Sequence, residues 1–169
     1  MRKRWERGSA GRATMEIERK FLLDSFPQGL PLLEESVMEQ GYLCTDPVVR
    51  IRSKEKDGCK TYRLCFKGEG RLVRQETEMD LTESQFAELS NLLRAPMVRK
   101  EFRVYALPGG ERLECNLVDN TFFYAEVEFP TVEAAHAFTP PAFLGREVTE
   151  EAGFSMSSYW TTRRFPGLD

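Results

Sequence analysis

Polar and hydrophobic residues alternate along most of the chain. In the segment MEIERKFLL, residues 15–23, the charged residues Glu16, Glu18 and Lys20 occupy every second position. Side chains two residues apart share a face of a β-strand, so this period predicts strands. The pattern predicts eight of them, over residues 15–23, 34–43, 48–56, 59–68, 71–81, 96–107, 112–118 and 121–129.

Turn and helix signals lie between these segments. Asp57-Gly58 and Gly109-Gly110 join neighbouring strands, as expected for hairpins. Thr82 begins a capping box with the residue three positions on, and a hydrophobic stripe follows, which together predict a helix over 82–94. Shorter helices are predicted over 131–138 and within 154–165. The elements favour a mainly β (α+β) fold, an antiparallel sheet or barrel with a few helices.

Charged residues cluster on single faces of the predicted strands, and like charges often lie two residues apart. The sets are Glu16, Glu18 and Lys20; Arg50 and Arg52; Arg63 and Lys67; Arg74, Glu76 and Glu78; and Glu126 and Glu128. A solvated face explains the charges of any single strand. Like charges two residues apart nevertheless repel, and burial raises that cost unless a counter-ion lies between them. The pattern therefore favours a site in which a metal ion bridges carboxylates to an anion.

A polyphosphate is the anion that fits such a site. Basic side chains neutralise its non-bridging oxygens, and paired carboxylates bind Mg²⁺ or Mn²⁺ through oxygen ligands. Phosphoryl transfer depends mainly on positioning and charge neutralisation, so many charged residues and no nucleophile are expected. The only histidine, His136, has no evident partner, which argues against Ser-His chemistry.

Composition narrows the class of protein further. The chain has 169 residues, 41% of them hydrophobic and 30% charged, and no apolar run long enough to span a bilayer. Four cysteines without a CxxC pair indicate reduced, partly buried thiols in a cytoplasmic protein that does not associate with membranes. Residues 1–14 carry a net charge of +4 and are predicted to be a disordered tail before one domain over 15–169. This tail is the only hint of nucleic-acid binding, because the remaining residues carry −7.

The segment EIERKF resembles the ExExK signature of the CYTH family, the triphosphate tunnel metalloenzymes. The likeness continues through QGYL (40–43), VVRIR (48–52), RQETEMDL (74–81), AEVEF (125–129) and further segments to about residue 160. The family includes class IV adenylyl cyclases, thiamine triphosphatases and inorganic triphosphatases. The resemblance implies an eight-stranded antiparallel closed barrel, open at both ends, whose lumen binds a triphosphate-containing small molecule.

The resemblance and the charged faces together assign roles to individual residues. The metal ligands for Mg²⁺ or Mn²⁺ would be Glu16, Glu18, Glu126 and Glu128. The substrate-binding residues would be Lys20, Arg50, Arg52, Arg63, Lys67, Arg74 and Lys100. The catalytic residues would be Glu76, Glu78 and Lys20. The expected activity is metal-dependent hydrolysis of a triphosphate, most simply inorganic tripolyphosphate.

Three positions depart from the family pattern. Phe102 replaces a basic residue, Asn116 an aspartate and Ser157 a lysine, while Asp119 is a candidate substitute for the lost carboxylate. These departures leave open a domain that binds a phosphorylated metabolite with little catalysis. Adenylyl cyclase or thiamine triphosphatase activity also stays open, as does the choice between a monomer and a homodimer. Trp160 fits either a cap on the barrel or a dimer contact.

Overall fold

Antiparallel strands make up most of the computed structural model, which describes residues 12–167. The elements are β1 (Arg12–Leu23), β2 (Leu32–Thr45), β3 (Val48–Lys56), β4 (Cys59–Lys67), β5 (Val73–Leu81), α1 (Glu83–Ser90), β6 (Val98–Ala106), β7 (Arg112–Val118), β8 (Phe122–Glu128), α2 (Val132–Ala137) and α3 (Met156–Thr162). Each of the eight predicted strands is present. β1 begins at Arg12, earlier than predicted, and the rest of the predicted tail lies outside the described residues.

The strands close into a barrel in the order β1-β5-β4-β3-β2-β6-β7-β8. Every neighbouring pair is antiparallel. β1 closes the sheet because residues 12–17 pair with β5 and residues 18–23 pair with β8. This confirms the predicted eight-stranded antiparallel closed barrel.

The first helix is shorter than the hydrophobic stripe predicts. Its capping box is present, since the side chain of Thr82 accepts a bond from the backbone N–H of Gln85 and the side chain of Gln85 accepts one from Thr82. The helix ends at Ser90, and three-residue turns continue the chain to Leu93. Leu93 contacts Gly41 on β2, where a larger residue would meet its methyl groups. The helix predicted over 82–94 is therefore present only to Ser90, and residues 91–93 form turns that bring Leu93 against the barrel.

One apolar cluster packs on the outside of the barrel. Side chains that alternate with the charged ones, such as Phe21 and Val127, are buried there with Ala135 of α2 and with Leu144. The charged faces of the strands consequently point inward. Arg19 lies on the outer side and binds Glu147 with two nitrogens.

A second apolar cluster fills one end of the barrel. Val48, Val98 and Phe122 lie at the starts of their strands, and the C-terminal Trp160 and Phe165 pack against them. Phe165 stacks on Phe122 with ring centroids 4.0 Å apart. We call this cluster the floor. The resemblance implies a barrel open at both ends, but here the aromatic C-terminal segment packs into one of them. Trp160 is therefore part of the cap.

Two further structural findings bear on the sequence predictions. Cys65 and Cys115 are buried and Cys44 and Cys59 are exposed, so only half of the thiols are shielded as predicted. Within residues 12–167, no helix combines the length and the apolarity that crossing a membrane requires.

Candidate active site

One cavity of about 630 Å³ occupies the barrel above the floor. It is lined by every residue to which the sequence assigned a role: Glu16, Glu18, Lys20, Arg50, Arg52, Arg63, Lys67, Arg74, Glu76, Glu78, Lys100, Glu126 and Glu128. They meet because alternate residues of each strand face inward and because the strand registers place them side by side. Lys20 lies opposite Glu126, for example, and Lys67 lies opposite Glu76.

Carboxylates crowd together on the wall formed by β1 and β8. Oxygens of Glu16, Glu18 and Glu128 come within 4.8 Å of one another. Burial, followed by the negative charge of Glu126, raises the pKa of Glu18 well above its ordinary value. Burial also raises the pKa of Glu16. Carboxylate oxygens in this density are the donors that a hard divalent cation prefers, so the residues present fit Mg²⁺ or Mn²⁺.

Lys67 links this wall to the next one. Its ammonium lies 3.1 Å from a carboxylate oxygen of Glu16 and 3.2 Å from one of Glu76. Burial opposes the charge on Lys67, but the surrounding carboxylates outweigh burial and raise its pKa. For Glu76 the charges also outweigh burial. Burial raises the pKa of this carboxyl, but the positive charges of Lys67 and Arg50 lower it by more, so the net pKa is lowered. Both groups are therefore held in their charged forms.

Three arginines surround one carboxylate on the wall formed by β3, β4 and β5. Glu78 lies 3.9 Å from Arg50, 3.6 Å from Arg52 and 2.8 Å from Arg63. Among the described residues, the Nε–H of the buried Arg50 has no hydrogen-bond partner. Guanidinium groups that face a cavity with unused donors are suited to phosphate oxygens. Arg74 lies at the edge of this wall and donates to the carbonyl of Gly68 at 2.7 Å.

Two lysines lie near the floor around a single phenol. Lys100 donates to the hydroxyl of Tyr124 at 2.5 Å, and Lys20 donates to the backbone carbonyl of Phe154 at 2.5 Å. Both ammonium groups lie over the Tyr124 ring, 5.1 Å and 4.2 Å from its centroid. Burial lowers the pKa of Lys20, and it lowers the pKa of the fully enclosed Lys100 much further. The deep end of the cavity thus holds an amine whose pKa burial lowers.

Sequence reasoning missed five charged residues that line the cavity: Lys54, Arg71, Arg112, Glu114 and Glu151. The signals were present, because Lys54 continues the alternation of Arg50 and Arg52, and Arg112 and Glu114 alternate on β7. Burial and the charges of nearby carboxylates, Glu128 first, raise the pKa of Glu114 to about 8. Glu114 therefore extends the acidic wall.

The three departures from the family pattern all face the lumen. Phe102, Asn116 and Ser157 line the cavity, so the substitutions do change its chemistry. The Phe102 ring packs beside Met38, and the ammonium of Lys54 lies 5.2 Å from the ring centroid. Asp119 does not compensate, because its carboxylate binds the Tyr159 hydroxyl at 2.7 Å and a backbone N–H at 2.9 Å outside the lumen.

Comparison with known proteins agrees with this geometry. No family model matches the chain. Over 139 residues it is 37% identical to an inorganic triphosphatase of Nitrosomonas europaea, an alignment that spans 80% of this chain and 90% of that protein. A crystal structure of an inorganic triphosphatase superposes with a TM-score of 0.62 at 32% identity, over 90% of this chain and 97% of the other. A protein of Pyrococcus horikoshii matches with a TM-score of 0.56 at 21% identity, over 72% and 81%, which supports the fold alone.

A closed antiparallel barrel with an acidic and a basic wall inside defines a class of tunnel proteins. The 37% identity to the inorganic triphosphatase extends over 90% of that protein and shows which family of tunnel proteins the chain belongs to. The chain belongs to the CYTH family, the triphosphate tunnel metalloenzymes.

Proposed function

We propose that this protein hydrolyses inorganic tripolyphosphate inside the barrel, with Mg²⁺ or Mn²⁺ as cofactor. The observation that carries the proposal is the pairing of an acidic wall with a basic wall around one cavity of about 630 Å³. A relative named inorganic triphosphatase supports the choice of substrate. Hydrolysis adds the oxygen of water to the terminal phosphorus and breaks its bond to the bridging oxygen. The products are orthophosphate and diphosphate.

The acidic wall would hold the cofactor. Glu16, Glu18, Glu126 and Glu128 are the proposed ligands, because their carboxylates face one region of the lumen and repel one another without a cation. A bound divalent cation would polarise the phosphoryl oxygens and neutralise part of their charge. Glu114 lies next to this set, opposite Glu126 in the strand register, and would be a further carboxyl group beside the proposed ligands.

The basic wall would bind the phosphate chain. Arg50, Arg52 and Arg63 present guanidinium groups to the lumen, and Lys67 and Arg74 extend the wall at its edge. Glu78 orients the three arginines, and Glu76 orients Lys67. This assigns Glu76 and Glu78 a positioning role, because each carboxylate is paired with basic side chains of the wall.

The two deep lysines are suited to different tasks. We propose that Lys20 stays protonated and stabilises the negative charge that develops on the phosphoryl oxygens. Lys100 has the more strongly lowered pKa, so it would take the proton of the attacking water on Nζ. The hydrogen bond with Tyr124 would fix the position of that nitrogen.

Location and assembly remain proposals of the same kind. We place the protein in the cytoplasm, a proposal that the unpaired state of Cys44, Cys59, Cys65 and Cys115 supports. A monomer or a homodimer stays the prediction for its assembly. Binding to nucleic acid is not expected, since the chain outside residues 1–14 is acidic.

Phosphorus NMR of a tripolyphosphate solution tests the proposed reaction directly. With protein and Mg²⁺ or Mn²⁺ present, the tripolyphosphate signals should decline while diphosphate and orthophosphate appear in equal amounts. Persistence of the tripolyphosphate signals under both metals would refute the proposal.

A further inference from the structure

A cluster of charged residues lies at the end of the barrel opposite the floor. Glu34 near the start of β2 forms ion pairs with Lys54 at 2.5 Å, with Arg112 at 3.3 Å and with Lys56 at 3.5 Å. We call these four residues the mouth cluster. Its acidic member is 10% exposed, whereas Lys56 and Arg112 are 46% and 45% exposed. The carboxylate is thus enclosed by cations that themselves face water.

The mouth cluster continues the path of the lumen. A second cavity of about 410 Å³ is lined by Glu34, Lys54 and Lys56, and it shares Arg52, Lys54 and Arg63 with the main one. Basic side chains at residues 50, 52, 54 and 56 lead from the lumen to this end, one on every second residue of β3. A linear polyphosphate too long for the lumen, extending in this direction, would contact these basic side chains.

Glu34 forms ion pairs with the basic side chains that a longer polyphosphate would need to contact. The Glu34 carboxylate lies among three basic groups, as a bound phosphate would. Its ion pair with Arg112 joins β2 to β7 across β6. The deeper Arg50 and Lys67, by contrast, face the main cavity. A fourth phosphate at the mouth would have to displace the carboxylate and would be repelled by it.

We propose that Glu34 sets the chain length of the substrate, restricting it to three phosphates by pairing with the mouth cations that a fourth phosphate would need. The inference rests on the proposed function, because it concerns the phosphate chain that the lumen would bind. It makes Glu34 a specificity-determining residue, and the mouth cations a latent subsite for a fourth phosphate.

Isothermal titration calorimetry with sodium tripolyphosphate and sodium tetrapolyphosphate tests the inference. The titrations use the full chain without divalent metal, so that turnover does not interfere. The proteins are the wild type, Glu34→Gln, Glu34→Gln with Lys56→Ala, and the control Glu35→Gln. Glu35 is the next residue along β2, it is 61% exposed on the outer side, and its substitution changes the net charge equally.

The wild type should bind tetrapolyphosphate no more tightly than tripolyphosphate. Glu34→Gln should raise the affinity for tetrapolyphosphate relative to tripolyphosphate by about tenfold. Adding Lys56→Ala should reverse part of that gain, and Glu35→Gln should leave the ratio as in the wild type.

Two results would overturn the inference. One is an unchanged or lowered ratio in a folded Glu34→Gln protein. The other is wild-type protein that binds tetrapolyphosphate about tenfold more tightly than tripolyphosphate, a result that needs no variant to fold. Turnover of tripolyphosphate by the wild type is measured separately, so failure of the proposed function shows there and not in these binding ratios.

Discussion

Lys100 and Lys20 lie around the same phenol, yet their surroundings differ in ways that matter for chemistry. Lys100 is 5% exposed and donates to Tyr124, and the carboxylates around it do not offset the cost of burying its charge. Lys67 shows the opposite outcome, because two carboxylates contact its ammonium. Direct ion pairing therefore distinguishes Lys67, whose pKa is raised, from Lys100, whose pKa is lowered.

Replacing Lys100 by arginine separates its charge from its ability to accept a proton. A guanidinium stays protonated, so Lys100→Arg should lower kcat by about 10²–10⁴-fold with a smaller change in KM. In the wild type kcat should rise with pH as Lys100 loses its proton, and this rise should be missing in the variant. Steady-state kinetics across pH measures both effects. Lys67→Arg is the matched control and should retain more activity; full kcat in Lys100→Arg would exclude the amine as the base.

Phe102 offers a test of what the absence of a basic side chain at this position costs in affinity for the substrate. Phe102→Arg would place a guanidinium in the cavity and should lower the KM for tripolyphosphate by about tenfold. It should also destabilise the fold by about 3 kcal/mol, because a buried ring beside Met38 is lost. Kinetics and urea unfolding measure the two effects. A higher KM in a folded variant would show that this side of the cavity does not face the phosphates.

At the scale of elements, contacts on the outer face of β1 fix the position of the strand whose inner face carries site residues. Arg19 donates to Glu147 at 2.9 Å and to the carbonyls of Ala135 and Phe138 at 2.8 Å each. These bonds tie α2 and the segment after it to the strand that carries the inward-facing Glu18 and Lys20. One strand thus combines a structural attachment outside with site residues inside.

Loss of the Arg19 attachment should destabilise the protein measurably. Arg19→Ala should cost about 2–4 kcal/mol of unfolding free energy, because several charge-assisted bonds of a mostly buried side chain disappear. Arg99→Ala is the matched control and should cost less than about 0.5 kcal/mol, since its pairing with Glu101 is exposed. Urea titration compares them. Equal losses of unfolding free energy in the two variants would mean that the Arg19 hydrogen bonds stabilise the fold no more than an exposed ion pair does.

For the whole molecule, the sequence predicted the barrel wall better than the two ends. Alternation is a local property, so it located the strands and the inward-facing set that includes Glu18, Arg50 and Lys67. The floor combines strand starts with Trp160 and Phe165 from far along the chain, and only the fold brings these together. The contact between Glu34 and its cations likewise depends on strand register.

The fold determines which cysteine thiols are accessible, and the number of accessible thiols can be measured. Cys44 and Cys59 are exposed, whereas Cys65 and Cys115 are buried, Cys115 in the apolar cluster on the outside of the barrel. Burial, then the charge of Glu114, raises the pKa of Cys115 to about 12, so its thiolate is scarce. Reaction with a thiol-specific reagent should label two groups rapidly in the native protein and four after denaturation. Four rapid groups at native conditions would contradict the described packing.

The central claim is metal-dependent hydrolysis in the lumen, and one assay tests it most directly. Phosphate release from tripolyphosphate is measured with Mg²⁺, with Mn²⁺ and with a chelator, for the wild type and for Glu16→Gln/Glu18→Gln. A Glu35→Gln/Glu39→Gln protein carries the same charge change on the exposed side of β2.

We expect turnover only with metal, a loss of about 10²-fold or more in the Glu16→Gln/Glu18→Gln protein, and full activity in the control. Turnover that survives the chelator, or that the lumen variant retains in full, would contradict the account.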